Sequence, residues 1–180
     1  MPRWSGSLFN VTPETWLISD THFGHKNIIK YCNRPMNHNE LMNKAWHELV
    51  APEDTILHLG DLAVWYGDKK EYWHEVASEL PGKKYLLDSG NHDRDKPKVY
   101  ASYGFTVIPD FIQEIKRQRV LFSHWPDASK TGSWDINVHG HIHNNPLDPV
   151  LAASGRRYKN ISVELTEYKP IKAKDILVFA

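Results

Sequence analysis

Short apolar runs alternate with helix-like patterns in the first half of the chain. Three runs, at residues 15–19, 55–59 and 84–87, are almost continuously apolar and end at polar or turn-forming residues. Such runs are typical of strands that are covered on both faces. Between them, residues 39–50 and 69–80 place apolar side chains at i, i+3 and i+4 spacing, which predicts two helices. Alternating strands and helices predict a parallel sheet with crossover helices.

The second half of the chain is richer in short strand-like runs. Residues 105–108, 111–115 and 119–122 lie close together, and a basic turn precedes the last of them, so we expect hairpins here. Further strands are predicted at residues 136–139, 161–165 and 176–180. Together with the first half, this pattern predicts an α/β protein with two sheets.

The composition is that of a folded protein. The 180 residues are 41% hydrophobic and 12% aromatic, which is enough to form a core and argues against disorder. This length fits one domain, and we predict a single domain over residues 1–180. Basic and acidic residues are equal, at 22 each, so the composition does not indicate a strongly basic nucleic-acid-binding surface.

The number of cysteines and the hydropathy of the chain indicate where in the cell the protein is located. Cys32 is the single cysteine, which excludes an intramolecular disulfide. Residues 1–10 lack the apolar stretch of a secretory leader, and no apolar run approaches the ~20 residues that span a membrane. We therefore expect a cytoplasmic protein with no membrane partner.

Five polar blocks follow predicted strands in a fixed order. Their sequences are Asp20-Thr21-His22, Gly60-Asp61, Gly90-Asn91-His92-Asp93, Ser123-His124 and Gly140-His141-Ile142-His143. In open α/β sheets ligands gather beyond the carboxyl ends of the strands, so we expect these blocks to meet. Aspartate, asparagine and histidine supply the oxygen and imidazole donors that suit divalent Mn, Fe, Zn, Co or Ni.

The blocks resemble the motif series of the calcineurin-like metallophosphoesterase family, which runs D-x-H, GD, GNH[DE], a single His and GHxH. All five motifs match without substitution, over roughly residues 16–143. The resemblance implies an α/β/β/α sandwich and a centre of two divalent cations, with Mn favoured and Fe, Zn, Co or Ni as alternatives. It assigns Asp20, His22 and His143 to one cation, Asn91, His124 and His141 to the other, and Asp61 to both.

The resemblance also implies a reaction. Water or hydroxide between two cations has a lowered pKa and attacks phosphorus in line with the leaving oxygen. His92 follows the ligand Asn91 and is the candidate general acid, since an imidazole with a pKa of about 6.5 suits proton donation at neutral pH. Asp93 is expected to orient His92 or a ligand histidine.

Residues beside the blocks allow two interpretations each. Arg34 either contacts substrate phosphate through its guanidinium group or is a solvated loop residue. Trp65 and Trp125 directly follow motif blocks and either line the cleft, where they stack a base or aryl group, or pack elsewhere.

The leading functional hypothesis is a phosphoesterase for small phosphodiesters, including nucleotides and cyclic nucleotides. Alternatives within the family are a phosphomonoesterase and a nuclease, and the balanced charge argues against the nuclease. A non-catalytic binding scaffold is the alternative from another class; the presence of His92 and of every ligand argues against it. Because the spacers between motifs leave little chain for a cap, we predict an open, promiscuous site.

Overall fold

Two five-stranded sheets lie face to face in the computed structural model, which describes residues 3–4, 9–64, 70–127 and 133–179. The strands are β1 (Arg3–Trp4), β2 (Trp16–Ile18), β3 (Thr55–His58), β4 (Lys83–Leu87), β5 (Phe105–Ile108), β6 (Phe111–Ile115), β7 (Gln118–Phe122), β8 (Ile136–His139), β9 (Arg157–Asn160) and β10 (Ile171–Lys172). The helices are α1 (Ile28–Cys32), α2 (His38–Leu49), α3 (Lys70–Glu79), α4 (Pro97–Ser102), α5 (Pro149–Ala152) and a 3₁₀ helix (Ala173–Asp175).

The two sheets differ in strand direction. The first has the order β10-β2-β3-β4-β5, in which β2 to β5 are parallel and β10 is antiparallel to β2. The second has the order β1-β6-β7-β8-β9, in which β6 and β7 are antiparallel and the other neighbours are parallel. The predicted α/β fold with two sheets is confirmed.

The central strands of the first sheet are buried on both faces, which explains their continuous apolar sequences. Side chains alternate across a strand, so Leu17 and Leu57 lie in the core between the sheets. Ile18 and Ile56 lie in a second core, which the helices cover. Trp46 of α2 is fully buried in this second core.

Helices α2, α3 and α4 cover the face of the first sheet that is turned away from the second sheet. The two helices predicted from apolar spacing are confirmed as α2 and α3, whereas α1, α4 and α5 are too short to give a clear periodic pattern. No helix in the described part of the chain is both long and apolar enough to cross a bilayer.

The hairpin predicted between residues 105–108 and 111–115 is wrong. β5 pairs with β4 in the first sheet, whereas β6 pairs with β7 in the second. Pro109 stands between β5 and β6, where it supplies no N–H for pairing, and the chain crosses from one sheet to the other. The hairpin between β6 and β7 is confirmed, and the φ angles of its turn residues Lys116 and Arg117, 48° and 60°, suit a two-residue type I′ turn.

The closing strands predicted at residues 161–165 and 176–180 are also wrong. The polar strand β9 ends just before the first segment, in which Ser162 forms an isolated bridge. The second segment follows the 3₁₀ helix, and its Leu177 packs between the sheets from a turn; residue 180 lies outside the described part of the chain. Apolar residues that pack from turns give the same local pattern as a short strand, which accounts for both errors.

Candidate metal centre

The five polar blocks converge at one end of the two sheets. Three of them follow β2, β3 and β4, which are neighbours in the first sheet, and two follow β7 and β8, which are neighbours in the second. Hydrogen bonds join the blocks directly. The backbone N–H of His22 donates to the carbonyl of Asp61 at 2.9 Å, and that of His141 donates to the carboxylate of Asp20 at 3.0 Å. The site is therefore assembled from both sheets.

Backbone strain is concentrated in these blocks. Five of the seven residues assigned as ligands have left-handed φ angles: Asp20 58°, His22 48°, Asp61 58°, His141 68° and His143 51°. A non-glycine residue in this region costs about 1–2 kcal/mol, and such strain persists where the surroundings over-determine it, typically at functional sites. The fold holds these side chains in place at an energetic cost.

Asp20, His22 and His143 form one group of donors, here named the closed half. One ligand atom from each lies within 4.8 Å of the others. The Nε2 atoms of His22 and His143 are 4.0 and 3.9 Å from Oδ1 of Asp20. These separations leave room for a cation between the three side chains.

Asn91, His124 and His141 form the other group, the open half. Oδ1 of Asn91 is 3.3 Å from Nε2 of His124 and 3.1 Å from Nδ1 of His141. Asp61 adjoins both halves, because its Oδ2 atom lies 3.4 Å from Nε2 of His22 and 3.3 Å from Nε2 of His124. One carboxylate is thus shared between two sets of ligands.

The donor set fits divalent cations. His22 is 1% exposed, and neither of its ring nitrogens forms a hydrogen bond. Burial lowers the pKa of His22 well below its usual value, so the ring is neutral and offers a lone pair. Buried polar atoms normally have a partner, and a cation beside Asp20 and Asp61 would supply one.

Electrostatics favour the protonation states of metal ligands at Asp61 and His141 and oppose them at His143. Burial would raise the pKa of Asp61, but its hydrogen bond with His124 and the charge of His124 lower it below its usual range. Burial lowers the pKa of His141 to about 4. For His143, burial would lower the pKa, but hydrogen bonds with Cys32 and Glu164 raise it to about 10, so a cation would displace one proton there.

Two motif glycines allow the blocks to approach each other. A Cβ atom at Gly140 would collide with Ser19 and with the carboxylate of Asp20. A Cβ atom at Gly90 would collide with the carboxylate of Asp93. Glycine is therefore required at these positions by close packing against ligands and their neighbours.

Asp93 supports the shared carboxylate. Its oxygens accept hydrogen bonds from the backbone N–H groups of Asp61, at 2.6 Å, and Leu62, at 3.0 Å. Burial and the nearby charge of Asp61 raise its pKa to about 7. The sequence-based expectation was that Asp93 orients a histidine; in the structure it fixes the turn that carries Asp61.

His92 lies at the edge of the cluster. Its ring centroid is 4.9 Å from that of His22, and its side chain is half-buried. Its backbone N–H donates to Oδ1 of Asp61 at 2.8 Å. One of its ring nitrogens is within 4.8 Å of donors from His22 and Asp61. His92 therefore borders both His22 and Asp61 at the rim of the cluster.

Arg34 is not the solvated loop residue that was one of its two interpretations. It is 3% exposed, and its guanidinium donates to the carbonyls of Thr21, at 2.8 Å, and Asp20, at 2.6 Å. The same group forms an ion pair with Glu164, with Nη2 and Oε1 2.6 Å apart. Its donors are thus directed at the protein.

Trp125 borders the open half, whereas Trp65 lies outside the described residues. The Trp125 indole is 46% exposed, and its centroid is 3.4 Å from that of His141. Its Nε1–H donates to the carbonyl of Ser89 at 3.1 Å. The indole is therefore held firmly while part of its surface faces solvent.

Sequence reasoning missed three residues that contact the closed half: Asn160, Ser162 and Glu164. Asn160 ends β9, and Ser162 and Glu164 lie in residues 161–165, for which the sequence predicts a strand, where alternate polar residues ordinarily face solvent. A signal is present, because these three polar residues alternate with the buried apolar residues Ile161 and Val163.

The sequence profile of the calcineurin-like phosphoesterase family matches residues 14–175. The uncharacterized protein MJ1445 of Methanocaldococcus jannaschii is 38% identical over 169 residues, which cover 91% of this chain and 88% of that protein. Gene 66 protein of Mycobacterium phage L5 is 27% identical over 194 residues, covering 89% of this chain and 90% of the phage protein.

A solved structure shows the same architecture. The crystal structure of AQ665, a protein of unknown function from Aquifex aeolicus, superposes with a TM-score of 0.72 at 31% sequence identity. The match covers 90% of this chain and 96% of the Aquifex chain.

Proposed function

Because the chain belongs to the calcineurin-like phosphoesterase family, we propose that it is a two-cation phosphodiesterase that hydrolyses small phosphodiesters, nucleotides among them. One observation carries this proposal: Oδ2 of Asp61 lies 3.4 Å from His22 and 3.3 Å from His124, between two otherwise separate groups of ligands. A carboxylate shared in this way is what a pair of divalent cations about 3.5–4 Å apart requires.

The closed half would hold one cation and the open half the other, with Asp61 contacting both. Mn²⁺ is the first choice for reconstitution, and Fe, Zn, Co and Ni suit the same donors. When bound, the pair of cations lowers the pKa of water and neutralises charge on the phosphate. Asp61 keeps its orientation through Asp93 and through the backbone N–H of His92.

His92 is the proposed general acid. Water attacks phosphorus in line with the leaving oxygen and releases a proton to solvent, the bond from phosphorus to the leaving oxygen breaks, and the protonated imidazole of His92 gives its proton to that oxygen. The ring then takes up a proton from solvent for the next cycle. His92 suits this role because its side chain is half-buried beside His22 and Asp61 and is accessible to a substrate.

The surroundings of the open half support diesters that carry a ring. Trp125 presents a partly exposed indole beside His141, and an aromatic face of this kind stacks a nucleobase or an aryl group. A dianionic monoester would benefit from a guanidinium clamp, but the donors of Arg34 are directed at Glu164 and at backbone carbonyls. Diesters are therefore expected to be better substrates than monoesters.

A hydrolysis panel with Mn²⁺-loaded protein tests the proposal. It compares bis-p-nitrophenyl phosphate, p-nitrophenyl phosphate, 2′,3′- and 3′,5′-cyclic nucleotides, dinucleoside polyphosphates and single-stranded RNA and DNA. We expect chelator-sensitive cleavage of several diesters and weaker cleavage of the monoester. Full activity after exhaustive metal removal would disprove the cation-dependent mechanism. A monoester or a nucleic acid preferred a thousandfold would instead reassign the substrate.

A further inference from the structure

The segment that follows β9 connects the two sheets beside the metal centre. The N–H of Ile161 donates to the carbonyl of His139 in the second sheet, at 2.8 Å, and the N–H of Val163 donates to the carbonyl of Ser19, next to β2, at 3.2 Å. Ile161 is buried in the core between the sheets and Val163 in the core under the helices. Ser162 lies between these two anchors, and Asn160, the last residue of β9, and Glu164 lie on either side of them; all three side chains turn toward the candidate centre.

Each polar side chain of this segment contacts the closed half. Asn160 Nδ2 donates to the carbonyl of His143 at 2.7 Å. Ser162 Oγ donates to Oδ2 of Asp20 at 3.0 Å. Oε1 of Glu164 accepts a hydrogen bond from Nδ1 of His143 at 3.0 Å. Two of the three closed-half ligands are thus held by one short stretch of chain.

Glu164 fixes the orientation of the His143 ring. A carboxylate is only an acceptor when ionised, so the proton of this contact resides on Nδ1. Nε2, which is 3.9 Å from Oδ1 of Asp20, is then the nitrogen available to a cation. A histidine ligand that donates its other N–H to a carboxylate is a better and more rigid ligand.

Arg34 holds the Glu164 carboxylate in place through an ion pair. Its Nε and Nη2 atoms are 2.7 and 2.6 Å from Oε1 of Glu164, and both side chains are almost entirely buried, at 0% and 4% exposed. The guanidinium also donates to the carbonyls of Asp20 and Thr21. Ligand atoms of Glu164, Cys32 and His143 lie close enough together to hold a metal ion. The Arg34 guanidinium already neutralises the Glu164 carboxylate, which argues against a third metal there.

We propose that Asn160, Ser162 and Glu164, with Arg34, are positioning residues for one cation only. They set the affinity of the closed half, since their contacts reach Asp20 and His143 and not the ligands of the open half. The proposal rests on the two-cation centre of the proposed function. Asn160, Ser162 and Glu164 thus form a sixth sequence block, Asn-x-Ser-x-Glu, whose effect on the closed half can be tested separately from the open half.

Stepwise Mn²⁺ binding to the full chain tests this role, measured by calorimetry and by metal analysis after dialysis. Glu164→Ala should weaken one of two binding steps by about 10–100-fold and leave the other unchanged. Glu164→Gln keeps an acceptor for His143 and should restore part of the affinity. Glu167→Gln, an exposed substitution three residues away, should bind like the wild type.

A double-mutant comparison identifies which half responds. In an Asp20→Asn background the closed half is already impaired, so Glu164→Ala should cause little further loss. In a His141→Ala background the open half is impaired, so adding Glu164→Ala should remove the remaining tightly bound cation, the one in the closed half. Loss of both binding steps in parallel, or equal losses in the two backgrounds, would overturn the proposal.

The outcomes separate this proposal from the proposed function. A wild-type chain that binds fewer than two cations contradicts the two-cation centre itself. A wild-type chain that binds two cations, with Glu164→Ala binding both as tightly, contradicts only the positioning role. If Glu164→Ala does not fold, Ser162→Ala removes the contacts of Ser162 Oγ with Asp20 and Asn160 and leaves the Glu164–His143 contact in place, and it should weaken the same single step to a smaller extent.

Discussion

The closed and open halves of the candidate centre use similar donors in different surroundings. In the closed half, Asp20 and His22 are 0% and 1% exposed, and His143 is half-buried. In the open half, His124 is 0% exposed, Asn91 and His141 are half-buried, and Trp125 beside them is 46% exposed. The closed half thus has two fully buried ligands and the open half has one, and we infer that a substrate would approach from the open half.

The supports of the two halves differ in the same way. His143 in the closed half is held by a buried carboxylate that is itself paired with a guanidinium. His124 in the open half donates its Nδ1–H to the carbonyl of Leu59 at 3.0 Å, and its backbone N–H donates to Ser89 Oγ at 3.1 Å. An ion pair sealed from water fixes a ligand more firmly than single hydrogen bonds from a loop do.

Backbone strain follows the same division. All three ligands of the closed half, Asp20, His22 and His143, have positive φ angles, but in the open half His141 alone does. Strained backbone persists where packing over-determines it. Strained backbone is thus concentrated in the half that would enclose one cation.

Asp61→Asn should have the largest effect, because it removes the carboxylate that joins the halves. Both binding steps for Mn²⁺ should weaken, and hydrolysis of bis-p-nitrophenyl phosphate should fall by about 10³-fold or more. Asparagine tolerates the φ of 58° at this position, so the change tests charge rather than backbone strain. Calorimetry and turnover measured on the same samples check this.

Asp148→Asn is the matched control for that change. Asp148 is exposed and caps α5 through the N–H of Val150, a role that asparagine fills equally well. It should match the wild type. Undiminished binding at both steps in Asp61→Asn would show that the halves are independent.

His92→Ala should have the next largest effect, and it should change turnover without changing either half. We expect a loss of about 10²–10⁴-fold on diesters with poor leaving groups and a much smaller loss on nitrophenyl esters, whose leaving group departs without a proton. Metal content should stay near wild type. Equal losses on both kinds of substrate, or a missing cation, would reassign His92 to ligation.

Trp125→Ala should affect the open half alone. Stacking on an aromatic side chain is worth about 1–3 kcal/mol per base, so KM for nucleotide and aryl diesters should rise about tenfold or more. An aliphatic diester such as glycerophosphocholine should be nearly unaffected, and Trp125→Phe should recover part of the loss. A similar change for aliphatic and aromatic diesters would show that Trp125 only supports His141.

The smallest expected effect concerns Asp110, which supports the open half through Ser89. Ser89 Oγ donates to Oδ1 of Asp110, and burial followed by the charge of Asp88 raises the pKa of Asp110 to about 6. The carboxyl group of Asp110 therefore binds a proton more tightly in the folded state than in the unfolded state, where its pKa is 3.8. Between these two values the folded state holds more protons, so this group makes stability fall as pH rises from about 4 to about 6.

Asp110→Asn should remove that contribution. In thermal melts of the metal-free protein, the melting temperature of the variant should rise relative to that of the wild type between pH 4 and pH 6. Above pH 6 the difference between the two melting temperatures should stay constant. A pKa raised from 3.8 to about 6 is worth at most about 3 kcal/mol, so the gain in melting temperature at pH 7 should not exceed about 12 °C in a chain of this length. A difference that does not vary with pH would show that Asp110 keeps its ordinary pKa.

The local pattern of the sequence determined the central strands, the two longer helices and the order of the five motif blocks. Leu17 and Ile18 face opposite cores, so a strand buried on both sides appears as a continuous apolar run. Because the motif blocks follow such strands, the convergence of the blocks within each sheet could be predicted from the parallel direction of the strands. The meeting of the two sets depends on how the two sheets pack.

Tertiary structure alone decided how edge segments and buried polar side chains find their partners. Residues 105–108 and 111–115 are both apolar, but which sheet each joins depends on the surface that the rest of the chain leaves open. Arg34 and Glu164 are separated by 130 positions and form a buried ion pair beside the metal centre. Neither residue has a local pattern that reveals its partner, because burial of a charge depends on a distant opposite charge and not on periodicity.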